Sequence, residues 1–187
     1  MKSEKLKRLA VSAIMVALAS VLSLIKVWQM PLGGSVTLLS MLPIVLVSVV
    51  YGIKQGLATS FVYALIQFFM DLPAAMGWGL TATMWVGTIV FDYLVPFTCI
   101  GLAGIFRKKG LAGIVGGTTM VLALRFVSHV ISGVIFFDIW SPWDNVFTYS
   151  IAYNGTFMLP ELVLTLAAVI ILFKLPQTKK LIEKYGA

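Results

Sequence analysis

The sequence predicts an all-α integral membrane protein, with six transmembrane helices in a single domain over residues 1–187 and both termini cytoplasmic. Three observations carry this reading. The 187-residue chain is 60% hydrophobic and only 11% charged, with a mean hydropathy of +1.01, whereas a soluble domain is nearer half apolar and a quarter charged. Six apolar runs are present, and about 20 apolar residues suffice to cross a bilayer as a helix. The basic residues fall on one side of those runs, as cytoplasmic loops require. A soluble globular enzyme and a disordered chain are excluded. The length leaves no room for an additional soluble catalytic or ATPase domain. A lone cysteine, Cys99, excludes a disulfide scaffold and a cysteine-based metal cage.

Lys2, Lys5, Lys7 and Arg8 precede the first apolar run, which predicts a helix over about 6–27. No small-residue cleavage pattern closes that run, so it reads as a helix rather than a signal peptide. The turn-rich Met30-Pro31-Leu32-Gly33-Gly34-Ser35 separates it from a second helix over about 36–51. A third is expected over about 55–70, a fourth over about 80–105, a fifth over about 111–137 and a sixth over about 149–173. The second and third are short, and Pro43 can break the second. Lys54, the run Arg107-Lys108-Lys109 and the tail lysines Lys174, Lys179, Lys180 and Lys184 join the N-terminal four on one side. Only Lys26 lies on the other. This is the positive-inside pattern, and it explains the net charge of +7 without nucleic acid. The outer loops, about 28–37, 71–80 and 138–148, carry Trp28, Trp78, Trp140, Trp143, Asp71, Asp138 and Asp144. These residue types suit an interfacial aromatic belt and equally a loop that covers a site.

Ionisable groups inside the apolar runs mark the candidate site, because a charge in the bilayer must pair or line a cavity. They are Asp92, Arg125, His129 and Glu161. A rise of about 1.5 Å per residue puts all four roughly 12–18 Å below the outer surface. Arg125 and Glu161 read as a structural ion pair between helices five and six, or Arg125 bridges Glu161 and Asp92. His129 shares a helical face with Arg125 and Gly133, and serves either packing or ligand contact. Asp92 suits a cationic or amine-bearing ligand, and Trp85, two turns away on the same face, can stack on a flat ring. Tyr149, Tyr153 and Asn154 open helix six, where free backbone groups suit polar recognition. One histidine with scattered carboxylates makes no metal site. No phosphate loop or nucleophile–base pair is present, so no enzyme is expected. On the first helix, Ala13 and Ala17 form a small-xxx-small face with Ala10 and Ser20 nearby. Such a face packs within the protein or docks a partner helix.

Several motifs in order resemble the substrate-binding S component of energy-coupling factor vitamin transporters, and within these the thiamine-specific type. They are Ala13-x-x-x-Ala17, the loop Met30–Leu38 with Leu42-Pro43-Ile44, Tyr51–Gly56, Phe91-Asp92-Tyr93, Gly101–Arg107, His129–Phe137 and Tyr149–Gly155. The resemblance implies a prokaryotic multi-pass membrane protein with its pocket near the extracellular face. It implies Asp92, Tyr93, His129, Gly133, Phe137, Tyr149 and Asn154 as ligand-binding residues. It also implies Gly33, Gly34 and Ser35 as a lid, and Ala13 and Ala17 as the docking face for a transmembrane coupling subunit. This chain departs in having Phe137 where some members have Trp, Gly33 and Gly34 where some carry a Trp, and Asp rather than Glu at position 92.

The expected function is capture of thiamine from outside with high affinity. A carboxylate beside aromatic rings suits a flat cation. The chain needs no cofactor of its own. ATP would be hydrolysed by two ATPase subunits that join it through the coupling subunit. The same scaffold can instead take a vitamin B6 vitamer or a hydroxymethylpyrimidine precursor of thiamine. An autonomous proton-coupled secondary transporter acting through Asp92, His129 and Glu161 is the alternative of another class, and the missing inverted repeat speaks against it.

Overall fold

A computed structural model describes residues 2–185. Helix α1, Lys2–Leu24, runs unbroken until Ser20 and Ser23 turn their hydroxyls back onto the carbonyls of Val16 and Ser20. Beyond Leu24 the chain leaves the helix and becomes extended. Strand β1, Lys26–Gln29, pairs antiparallel with β2, Ser35–Thr37. The first helix therefore stops short of residue 27, and the second does not begin at 36. The reason is local chemistry. Pro31, Gly33 and Gly34 favour a turn, in which Leu32 (φ 59°) and Gly33 (φ 96°) adopt left-handed conformations. The N–H of Met30 closes that turn on the carbonyl of Gly34 at 2.6 Å.

Helix α2, Leu42–Tyr51, is only about 15 Å long by its rise, so the hairpin completes that crossing. Pro43 does not break it. It stands in the first turn, where its missing N–H has no intrahelical acceptor to lose. Gly52 (φ 92°) turns the chain directly into α3, Ile53–Ala75, which is longer than expected and brings Asp71 into a helix. Arg107 donates from Nη1 to the carbonyls of Val49 and Val50, satisfying the open end of α2.

The fourth crossing is a composite. It comprises α4, Ala82–Thr88, a π-helical turn, Ile89–Leu94, α5, Val95–Thr98, and a 3-10 stretch, Cys99–Lys109. The N–H of Val95 bonds five residues back to Val90. Pro96, lacking an N–H, offers the Asp92 carbonyl no α-helical donor. The π turn and Pro96 thus belong together. Helix α6, Gly110–Phe136, returns across. Helix α7, Val146–Lys174, starts at an Asn145 side chain that accepts from the Thr148 N–H at 3.0 Å, a normal N-cap. The basic tail folds as α8, Pro176–Tyr185. Its Tyr185 meets Tyr51 edge-on, and Arg8 lies over both rings.

These contacts gather the N-terminus of α1, the end of α2, the 107–110 turn and α8 at one end of the bundle. The hairpin lies at the other. Between them the core packs around Ile44, Tyr63, Ile100, Val121 and Val169. The composite crossing approaches α2 and α3 at backbone distance. Ser48 donates to the Gly101 carbonyl at 2.5 Å and accepts from the Gly104 N–H at 2.9 Å. A Cβ at Gly101 would stand 2.5 Å from the Gly56 backbone. Small residues at such crossings are what let membrane helices meet. Gly101→Ala should therefore overpack the crossing by about 1–3 kcal/mol and lower the melting temperature in detergent. Gly116→Ala, where a Cβ meets nothing, should leave it level or raise it. A thermal-shift assay on both variants checks this.

Candidate functional site

The hairpin, the ends of α1, α3, α6 and α7, and the π turn enclose one cavity of about 230 Å³. That is space for a single small molecule. Asp92, Tyr93, His129, Gly133, Phe137, Tyr149 and Asn154 all line it, and so do Gly33, Gly34 and Ser35 of the hairpin.

The π turn sets Asp92 toward α6. There His129 Nδ1 stands 3.0 Å from Oδ1, and Ser132 Oγ donates to Oδ2 at 2.5 Å. His129 and Ser132 are three apart, so one helix face presents both. A carboxylate accepts only, so Nδ1 carries the proton of that contact. Both oxygens of Asp92 are thereby engaged. Tyr93 stacks on Phe97 and donates weakly to Asp71 Oδ2 at 3.5 Å. Asn154 donates back to the Ser150 carbonyl at 2.9 Å, which orients its amide. Gly133 is where α6 meets α7, since a Cβ there would collide with Ser150 Oγ.

The aromatic walls come from the turn after α3, the end of α6 and the first turns of α7. Trp78 and Phe137 meet edge-on at 6.2 Å. Tyr149, Tyr153 and Phe157 succeed one another along α7 at 6.0 and 6.1 Å. The hairpin fits against these rings. A Cβ on Gly34 would lie 2.7 Å from the Phe157 ring, and one on Gly33 would lie 2.9 Å from Trp78. The Tyr153 hydroxyl donates to the Pro31 carbonyl. Lys26 forms an ion pair with Asp71 at 3.7 Å, joining β1 to α3.

Two expectations need correction. Trp85 does not line the cavity. Seven residues make two turns of an α-helix, but the π turn between inserts an extra residue and rotates Asp92 off the Trp85 face. Arg125 and Glu161 do not form the expected ion pair, nor does Arg125 bridge to Asp92. The ion pairs of lysine and arginine among the described residues join Lys7 to Glu4 and Lys26 to Asp71, and Asp92 meets His129 through the Nδ1 hydrogen bond. Glu161 turns to the hairpin instead. Its Oε1 accepts from both the N–H and the hydroxyl of Thr37, each at 2.6 Å. Arg125 lies over the Phe97 ring at 4.4 Å and directs Nη1 at the Met41 thioether. Both residues line the cavity.

Lys26, Gln67, Asp71, Trp78 and Phe157 also line the cavity. Asp71 and Trp78 are among the outer-loop residues whose types suit a loop over a site, and Lys26 is the one basic residue on an otherwise base-free side, whereas Gln67 and Phe157 carry no such signal. On the outside of α1, Ala10, Ala13 and Ala17 are exposed, while Ser12, Val16 and Ala19 are buried. The small-residue face is thus not used for packing within the chain.

Comparison with known proteins agrees with this architecture. The thiamine transporter ThiT of Bacillus subtilis (strain 168) is 34% identical, across 92% of this chain and 93% of its own. The structure of ThiT from Listeria monocytogenes superposes with a TM-score of 0.72 over 95% of this chain and 98% of that one. At 21% identity, that likeness concerns the fold. The family described as Thiamine transporter protein (Thia_YuaJ) matches residues 9–181. With nearly its whole length matched, the chain is a multi-pass membrane protein that belongs to the thiamine transporter protein (Thia_YuaJ) family.

Proposed function

We propose that the protein is the substrate-binding subunit of an energy-coupling factor importer and captures thiamine from outside the cell. The single observation that carries this is the cavity itself. It combines an engaged carboxylate, Asp92, with the rings of Trp78, Phe137, Tyr149 and Tyr153. A flat cation finds there both a counter-charge and ring faces, through ionic pairing and cation–π attraction. The family and the Bacillus relative's name support thiamine as that cation.

Orientation comes from charge. Lys54, Arg107, Lys108, Lys109 and Lys174 lie toward the end opposite the hairpin, and cytoplasmic loops hold the excess of lysine and arginine. The cavity then opens near the extracellular face and the termini are cytoplasmic. The exposed Ala13 and Ala17 face offers close approach to a helix of the coupling subunit. Two ATPase subunits hydrolyse ATP on the far side of that partner. The chain itself binds and releases, and performs no covalent chemistry.

Purified protein titrated against a vitamin panel, read by tryptophan quenching, tests the reading. Thiamine should bind in the submicromolar range. Asp92→Ala should weaken it about 10- to 150-fold, the value of hydrogen bonds to a charged group, because the counter-charge is lost and His129 loses its orienting partner. Preference for a vitamin B6 vitamer or for the hydroxymethylpyrimidine precursor in competition would reassign the substrate. Uptake into proteoliposomes should require the coupling module and ATP, and uptake by the chain alone on a pH gradient would overturn the importer reading.

The Lys26–Asp71 contact makes a kinetic prediction. A partly exposed pair contributes up to about 1 kcal/mol. Lys26→Met should speed thiamine release about two- to fivefold in stopped-flow fluorescence, and lower the melting temperature by no more than about 4 °C.

A further inference from the structure

The chain continues past its last crossing into a helix whose faces are sharply divided. Helix α7 ends at Lys174 and α8 begins at Pro176. Leu175 between them is extended, with φ −67° and ψ 137°, the conformation that a following proline favours. The chain axis therefore turns within one residue of the end of α7. On α8, Thr178 is buried, Ile182 packs against the core and Tyr185 meets Tyr51 at 5.3 Å. Their spacing of i, i+4 and i+7 makes one helical face. Arg8 of α1 lies 5.6 and 5.7 Å over the rings of Tyr51 and Tyr185. This cation–π contact clasps the tail to the first helix and fixes which side of α8 looks outward.

Gln177, Lys180, Leu181 and Lys184 form a second stripe, at i, i+3, i+4 and i+7. All four are exposed, Leu181 by 42%. The stripe contains no acid. Glu183, the one acid of α8, falls on the other flank, four residues from Lys179, where opposite charges attract. Glu4, the one acid of α1, pairs with Lys7 at 3.3 Å. The stripe is thus an uncompensated positive strip beside an exposed leucine. Topology requires only that lysines lie on the correct side, and says nothing about which helix face carries them. Two lysines set around a leucine on one stripe are the make-up of an interfacial helix. The apolar side chain reaches the acyl boundary, the lysine stems lie along it and the ammonium groups stay at headgroup level.

We propose that this stripe of α8 binds the anionic phospholipid headgroups of the cytoplasmic leaflet, with Lys180 and Lys184 on the phosphates and Leu181 at the acyl boundary. The inference rests on the orientation argued above, which puts α8 on the cytoplasmic side. An anionic leaflet attracts lysines that lie within about a Debye length of its surface. Helix α8 starts one residue after α7 ends, so it lies within that range. The contact is at the end of the bundle opposite the cavity, and it does not use the exposed Ala13 and Ala17 face of α1.

The test uses the full chain in nanodiscs of phosphatidylcholine alone, or of phosphatidylcholine with phosphatidylglycerol, read by backbone hydrogen exchange over α8. Phosphatidylglycerol should slow exchange there about 5- to 30-fold, the attraction of one to two lysines, and high salt should remove the gain. Lys180→Gln combined with Lys184→Gln should abolish it, and Leu181→Gln should reduce it. Lys179→Gln, on the other flank, should keep most of it. Equal exchange in the two lipids overturns the proposal. So does a gain that survives the double change, or one that Lys179→Gln removes as fully, since bulk charge rather than the stripe would then be acting. Protection that appears only when a coupling module is added assigns the stripe to a protein partner and overturns the lipid contact. Thiamine titration on the same discs keeps the readings apart. The wild type and the double variant should bind it alike, and a wild type that binds no thiamine while keeping the lipid gain strikes the proposed substrate alone. Cleavage of α8 by protease added outside intact cells overturns the orientation, and with it the assignment to the cytoplasmic leaflet.

Discussion

One oxygen of Glu161 holds the site together. Its two hydrogen bonds from Thr37, both 2.6 Å, fasten β2 to α7 across the top of the bundle. In hydrocarbon there is no water to satisfy a strand's backbone groups, so a two-stranded hairpin is tolerable only where the protein supplies partners. β1 and β2 supply most to each other. Glu161 supplies the acceptor for the Thr37 N–H. The hairpin in turn positions Gly33 against Trp78, Gly34 against Phe157, and Pro31 within reach of the Tyr153 hydroxyl.

The opposite wall depends on a helix defect. A regular α-helix through residues 82–109 would present Trp85 and Asp92 together. Pro96 withholds one N–H, the turn widens to i→i+5, and Asp92 swings to α6 instead. The energetic loss in the helix is offset by a carboxylate that receives two side-chain donors. Such π turns are frequent at functional sites. The rest of the composite crossing is bound by Ser48, Gly101 and Gly104, so the defect is confined to the turn that carries the acid.

Much of this is legible in the sequence, and the exceptions share a cause. Apolar length and one-sided charge reveal six crossings because bilayer thickness and membrane potential act on composition directly. Asp92, His129, Arg125 and Glu161 stand out because a charge in an apolar run is costly wherever the chain goes. What periodicity misses is the direction in which each side chain turns. Matched depth alone suggests the Arg125–Glu161 pairing, and depth says nothing about Thr37, which reaches Glu161 from 124 residues away. Placing Trp85 beside Asp92 assumes about 100° per residue through a turn that does not keep it. The hairpin is hidden for another reason: Val27, Trp28 and Val36 are as apolar as a helix end, so only the Pro31–Gly34 turn chemistry marks it. Gln67, Asp71 and Phe157 reach the cavity from runs that look like ordinary membrane helix or loop.

The two acids of the cavity differ in what each one holds. Asp92 is satisfied before any ligand arrives. Its bonds to His129 and Ser132 belong to the folded protein, and they preorganise a negative charge at a set depth, so little reorganisation remains at binding. Glu161 is committed to the hairpin, since its Oε1 takes both donors of Thr37. One acid therefore fixes a negative charge in the wall, and the other fixes the strand that closes over it.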